Sequence, residues 1–154
     1  MILTGSEIIE QRRLGRIRIE PFHPEQISPN SYDFRLGDAV EMYEPDVLDF
    51  KGENPKVKIA IADEGLVLQT DKIYLAPTEE LIGSDYFAAI IHARSSVARM
   101  GLFVHVTADL IDIGTYDRWI LQLHAVQPVR IFRGMRIGQV TFWSVLGAPN
   151  KDKQ

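Results

Sequence analysis

Cysteine is absent from all 154 residues, and that one absence removes disulfides, thiol nucleophiles and thiolate metal ligands together. Long apolar runs are missing too; none approaches the roughly 20 residues of a membrane-spanning helix. The opening Met1-Ile2-Leu3-Thr4-Gly5-Ser6 lacks the basic, apolar and small-residue succession of a secretory signal, so the sequence predicts a soluble cytoplasmic protein with no membrane partner. Positive charge is not in excess. With 17 Lys and Arg against 21 Asp and Glu, the formal net charge of −4 gives no global pull on nucleic acid, and an anion must be held by a local cluster.

What is present is an apolar content of 45%, enough for one self-sufficient core, so the expectation is a single domain over 1–146 followed by a short polar tail at 147–154. Thr4-Gly5-Ser6-Glu7 has the form of a capping box, and Gly15 is placed to end the short helix that follows. After Pro21 the chain turns to short apolar runs broken by Pro, Gly, Asn and Asp, at 32–36, 57–61, 65–68, 73–76, 87–92, 102–107, 119–124, 129–132 and 137–143. That spacing predicts an all-β sandwich or barrel, with an exposed loop at 44–55.

The richest stretch is His92-Ala93-Arg94-Ser95-Ser96-Val97-Ala98-Arg99-Met100-Gly101-Leu102, followed closely by His105-Val106-Thr107-Ala108 and Ile111-Asp112-Ile113-Gly114. Two guanidinium forks, two hydroxyls and an acid within about twenty residues suit a polyphosphate and an activated water. Ser95 can cap a turn or two of helix ending at Gly101, with free N–H groups at its start attracting phosphate. Taken alone, the same residues also fit a capped connector: Asp112 could cap the Ile113-Gly114 turn, His105 could be a satisfied strand histidine, and Gln139 could bond a neighbouring strand's backbone.

Asn30-Ser31-Tyr32-Asp33-Phe34-Arg35-Leu36-Gly37, the 94–99 block, His105 to Ala108 with Ile111-Asp112, and Gly134-Met135-Arg136-Ile137-Gly138-Gln139 together resemble the dCTP deaminase and dUTPase superfamily, in order and in spacing. Met1-Ile2-Leu3, Ile19-Glu20-Pro21-Phe22 and the Arg-Ser-Ser form are similar to its dCTP deaminase branch. The resemblance implies a distorted jelly-roll-like β-barrel, a homotrimer with sites between subunits, and a deoxypyrimidine nucleoside triphosphate bound with Mg²⁺. It further implies that Arg94, Ser95, Ser96 and Arg99 take the phosphates, that His105, Val106, Thr107 and Ala108 lie beside base and sugar, and that Asp112 contacts the 3′-hydroxyl or orients the attacking water. Asp33 and Gln139 fall on positions supporting the metal and phosphate end, with Mg²⁺ held through the phosphates and no direct protein ligand.

The deaminase branch carries a proton-shuttling glutamate ten residues beyond the position of Asp112, where this chain has Gln122. An amide cannot cycle a proton at neutral pH, and the absence of cysteine closes the zinc route to deamination as well. Hydrolysis of the α–β phosphate link needs no such glutamate, and the Gln122 NH₂ can donate to the O4 of uracil. The leading expectation is therefore a dUTP pyrophosphatase, a hydrolase with Asp112 and Gln122 at the reacting centre. The alternative is a dCTP deaminase, and the third reading a nucleotide-binding regulator. His124, on the same strand face as Gln122, is a second base-pocket residue, and Tyr116 could pack under the sugar. Asp109, Leu110 and the Thr115-Tyr116-Asp117 turn depart from the family pattern, as does the lack of its Gly- and Tyr-containing closing tail.

Overall fold

The computed structural model describes residues 1–147, so the tail expected at 147–154 lies, past Gly147, outside the described residues. Strands dominate, as expected. One five-stranded sheet runs in the order β10 (Leu102–Phe103), β13 (Ile120–Ala125), β7 (Tyr74–Pro77), β4 (Ala39–Tyr43) and β5 (Lys56–Ala60). A second runs β11 (Leu110–Ile111), β9 (Phe87–Ala93), β15 (Arg136–Ser144), β3 (Ser31–Arg35) and β2 (Ile27–Ser28). A three-stranded sheet, β1 (Arg18–Glu20), β8 (Leu81–Gly83) and β12 (Tyr116–Asp117), and the pair β14 (Val129–Ile131) with β6 (Leu66–Leu68) complete a distorted all-β fold. Neighbouring strands in both large sheets run antiparallel. Their inward side chains, among them Val40, Leu121 and Leu123 of one sheet and Tyr32, Phe34, Val140 and Phe142 of the other, merge in one buried cluster.

Helix α1 (Gly5–Arg13) starts where the capping pattern places it: Thr4 Oγ1 accepts from the Glu7 N–H at 3.3 Å, and Gly15 takes φ 71° just past the end. Glu7 does not reach back to close the box; it accepts instead from Gln11 Nε2 at 2.6 Å, one helical turn on. Helix α2 (Ser95–Arg99) differs from expectation at its start, because Arg94 is the capping residue and Ser95 already lies in the first turn. The strand expected at 102–107 is also shorter. It pairs only at Leu102–Phe103, after which the chain bends through Ala108, whose φ of 60° is uncommon for a side chain with a Cβ.

Close approach explains one glycine beside these elements. A Cβ on Gly83 would sit 1.9 Å from the Thr115 carbonyl oxygen, so only glycine lets β12 close onto β8 and carry the 112–115 turn with it. Under β3 lies a buried polar group: Gln26 Nε2 donates to Glu80 Oε1 at 3.0 Å, and the Arg35 N–H donates to Glu80 Oε2 at 2.8 Å. Burial pushes the Glu80 carboxyl above its ordinary range, these hydrogen bonds opposing the shift. Among the described residues no helix is long and apolar enough to cross a membrane.

Candidate functional site

A cleft of about 590 Å³ opens where the end of β9, helix α2 and the irregular segment after β10 converge. Its walls include His92, Ala93, His105, Val106, Thr107, Asp109 and Gln139, which gathers four of the sequence-expected residues and adds His92 and Asp109. Asp109 enters because its carbonyl accepts from the Ile91 N–H at 3.0 Å, tying the bend to β9. Val97 is the buried anchor of α2. The other side of that short helix leaves Ser95, Ser96 and Arg99 exposed, and of its residues Ala98 lines the cleft.

Arg94 stands at the entrance to α2 with its side chain 35% exposed, its Nε 3.0 Å from Asp33 Oδ2. Asp33 is 7% exposed. Burial pushes its carboxyl up, while Arg94 and then Arg136 oppose that shift. The oxygen that would support a metal thus faces a guanidinium, and among the described residues no three His, Asp or Glu side chains gather to hold an ion. Asp33 is thus engaged by Arg94, and a metal held through a ligand's phosphates would meet that ion pair and not a free carboxylate.

The bend at 104–109 packs against β13, where the Gln122 N–H donates to the Val104 carbonyl oxygen at 3.1 Å. On β13, Leu121, Leu123 and Ala125 point into the core, leaving Gln122 and His124 on the opposite face, as strand alternation dictates. Gln122 reaches the bend, its Oε1 accepting from the Thr107 N–H at 3.3 Å. Since only the carbonyl oxygen can accept there, the NH₂ end turns away from Thr107 as a donor. His124 instead packs against Phe103, ring centroids 6.4 Å apart, and bonds the Lys72 carbonyl oxygen through Nδ1 at 3.3 Å. It is not part of the cleft wall. His105 Nε2 lies 2.9 Å from the Ala108 carbonyl oxygen, to which it can only donate, and Nδ1 is buried without a hydrogen-bond partner.

Two expected residues are elsewhere on the chain. β11 pairs Ile111 with Ala89, so Asp112 falls beside Ala88, six residues back along β9 from Arg94, or roughly 20 Å at about 3.3 Å per residue. Its side chain is exposed and its carbonyl oxygen accepts from the Thr115 N–H at 3.2 Å. Tyr116 lies on β12 against Gly83, with the Arg18 guanidinium 5.3 Å from its ring centre, far from α2 in topology. Gln139 follows the structural alternative: it bonds the Ala93 carbonyl oxygen and accepts from Ser31.

A family model described as dCTP deaminase-like matches residues 2–145. The chain belongs to the dCTP deaminase-like family. A Hathewaya histolytica protein named "dCTP deaminase, dUMP-forming" is 43% identical over 152 residues, spanning 98% of this chain and 87% of the relative. A Clostridium acetobutylicum protein of the same name is 40% identical over 148 residues, spanning 96% of this chain and 84% of its own. A Rhodopirellula baltica protein named dCTP deaminase is 43% identical over 148 residues, 96% of this chain and 74% of its own. The solved 2′-deoxycytidine 5′-triphosphate deaminase of Agrobacterium tumefaciens matches in fold, with a TM-score of 0.74 and 21% identity over 98% of this chain and half of that longer one.

These names overturn the expected dUTP pyrophosphatase and favour the alternative; they are the names of enzymes of the dCTP deaminase family, which supports an enzyme without bearing out a simple dUTP hydrolase. Gln122 is a single position, whereas the likeness to the proteins named dCTP deaminase runs along nearly the whole chain.

Proposed function

We propose that this chain acts on dCTP, one water adding at C4 of cytosine to release ammonia and a second attacking the α-phosphorus to release pyrophosphate, so that dCTP and two waters give dUMP, ammonia and pyrophosphate. The observation that carries this reading is the 43% identity over 98% of the chain to a relative named as a dUMP-forming dCTP deaminase. The cleft agrees with it chemically. Arg94, Ser95, Ser96 and Arg99 offer cationic forks and hydroxyls for the triphosphate, which arrives with Mg²⁺ as part of the substrate. Thr107 and Gln122 form the base side, where the Gln122 NH₂ can donate to a ring acceptor, with His105 in the wall beside them. Chromatography of the nucleotides formed from dCTP tests the proposal. Appearance of dUMP is expected, and dCTP left intact would refute it.

The reading includes three copies sharing their sites. Asp112 lies roughly 20 Å along β9 from Arg94, and in this reading it serves the site of a neighbouring copy. Met100 at 58%, Phe103 at 54% and Val126 at 64% exposure form an apolar surface beside the cleft that a second copy would cover. Mixing Arg94→Ala chains with Asp112→Asn chains therefore restores turnover, because about a quarter of the sites in randomly mixed assemblies combine an intact Arg94 with an intact Asp112. Two inactive partners that stay inactive after mixing would place both residues in one chain's site.

A further inference from the structure

We propose that Asp33 and Gln139 are positioning residues that act on nucleotide binding through Arg94, fixing the guanidinium and the chain that carries it. This inference rests on the reading that Arg94 meets the phosphates. The sheet register is its foundation: Asp33 on β3 lies opposite Gln139 on β15, and Gln139 lies opposite His92 on β9. Residues opposite one another across neighbouring strands project to the same face, and so do residues two apart along a strand. Ser31, Asp33, Gln139 and His92 thus form one polar row across three strands, directly preceding Arg94.

Within that row the contacts of Gln139 and Asp33 converge on the entry to α2, while His92 bonds Thr141 at 3.1 Å. Gln139 bridges two strands, its Oε1 accepting from Ser31 Oγ at 3.1 Å and its Nε2 donating to the carbonyl oxygen of Ala93 at 3.4 Å. Ala93 is the residue before Arg94, so this amide fixes where the arginine's backbone begins. Asp33, nearly buried, then sets where the side chain ends, its carboxylate meeting Nε and leaving the two Nη groups for an anion. A guanidinium held this way has already surrendered its rotamer freedom before the ligand arrives. Charge works in the opposite direction, because Asp33 competes with phosphate for the same cation. The two effects predict opposite signs on removal of the carboxylate, and the experiment reads that sign.

Dissociation constants for dCTP and for deoxycytidine are measured by titration calorimetry on Asp33→Asn, Arg94→Ala and the double variant. Positioning predicts that Asp33→Asn weakens dCTP by about 10-fold, leaves deoxycytidine unchanged and adds nothing on the Arg94→Ala background. Gln139→Ala, which removes no charge, provides a second route should Asp33→Asn fold poorly; it should weaken dCTP with the same dependence on Arg94. Tighter or unchanged dCTP binding in Asp33→Asn, or an equal further loss without Arg94, overturns the proposal. Unchanged dCTP binding in Arg94→Ala itself would instead overturn the phosphate reading beneath it.

Discussion

Replacing Gln122 with glutamate is expected to raise the rate of ammonia release from dCTP by about 10²- to 10⁴-fold, the span ordinarily contributed by a positioned general acid–base. The geometry favours a clean gain. Gln122 Oε1 already accepts from the Thr107 N–H at 3.3 Å, and a carboxylate of nearly identical shape can accept the same bond. What changes is the other end of the group, where two N–H donors become an oxygen able to take a proton from water and return it to the departing amine. In the unaltered chain that transfer has no carboxylate on β13 to serve it, and the ionisable side chains lining the cleft are His92, His105 and Asp109. Initial rates at saturating dCTP check the expectation. Equal rates in the two proteins would show that the reacting edge of cytosine does not meet position 122.

Arg94→Ala carries the second large effect, an expected drop of about 10²-fold in affinity for dCTP with deoxycytidine binding little changed. One hydrogen bond to a charged group contributes about 1.5–3 kcal/mol, and about 1.4 kcal/mol corresponds to tenfold in affinity, so removing a guanidinium fork from the phosphate end reaches that size. The variant also strips Asp33 of its nearest cation. Because Arg94 is the first influence opposing the burial of that carboxyl, its removal pushes Asp33 further up and favours the protonated form. Titration with the two ligands separates these consequences, since only the triphosphate depends on the guanidinium. Affinity falling equally for both ligands would mean that Arg94 does not touch the phosphates.

Much of this architecture is written locally. Thr4 and Gly15 mark a helix by chemistry that acts over a single turn, and the alternation of β13 puts Gln122 and His124 on one face whatever surrounds them. The short runs broken by turn residues give the all-β class for the same reason. Where the sequence misleads, a distant neighbour decides. Ser95 has the composition of a cap, yet the chain leaves β9 one residue earlier than that chemistry requires, and Arg94 takes the position. The strand expected at 102–107 has the apolar content to pair, but beyond Phe103 it bends so that Gln122 and Ala108 can take its backbone and side-chain bonds. β4 carries an Ala-Val-Glu-Met-Tyr run that single-chain alternation leaves ambiguous, and its partners β5 and β7 settle it.

The site follows the same rule. The 94–99 block and the 105–108 segment are near one another in sequence, and Ala98 of the first lines the same cleft as His105, Val106 and Thr107 of the second. The Asp33–Arg94 pair joins residues of strands far apart in sequence, and only the register β3–β15–β9 brings them together. Asp112 shows the converse. It is close to Arg94 in sequence but a strand's length away along β9, because the chain from Ala108 runs antiparallel back past Ile90 and Ala89.

Ammonia measured against dCTP consumed, with the unaltered protein, tests the central claim most directly. One ammonia for each dCTP converted, with dUMP as the accumulating nucleotide, is the expected result, slow in the Gln122 chain yet stoichiometric. Consumption of dCTP without ammonia, or no consumption while the nucleotide still binds, would contradict it.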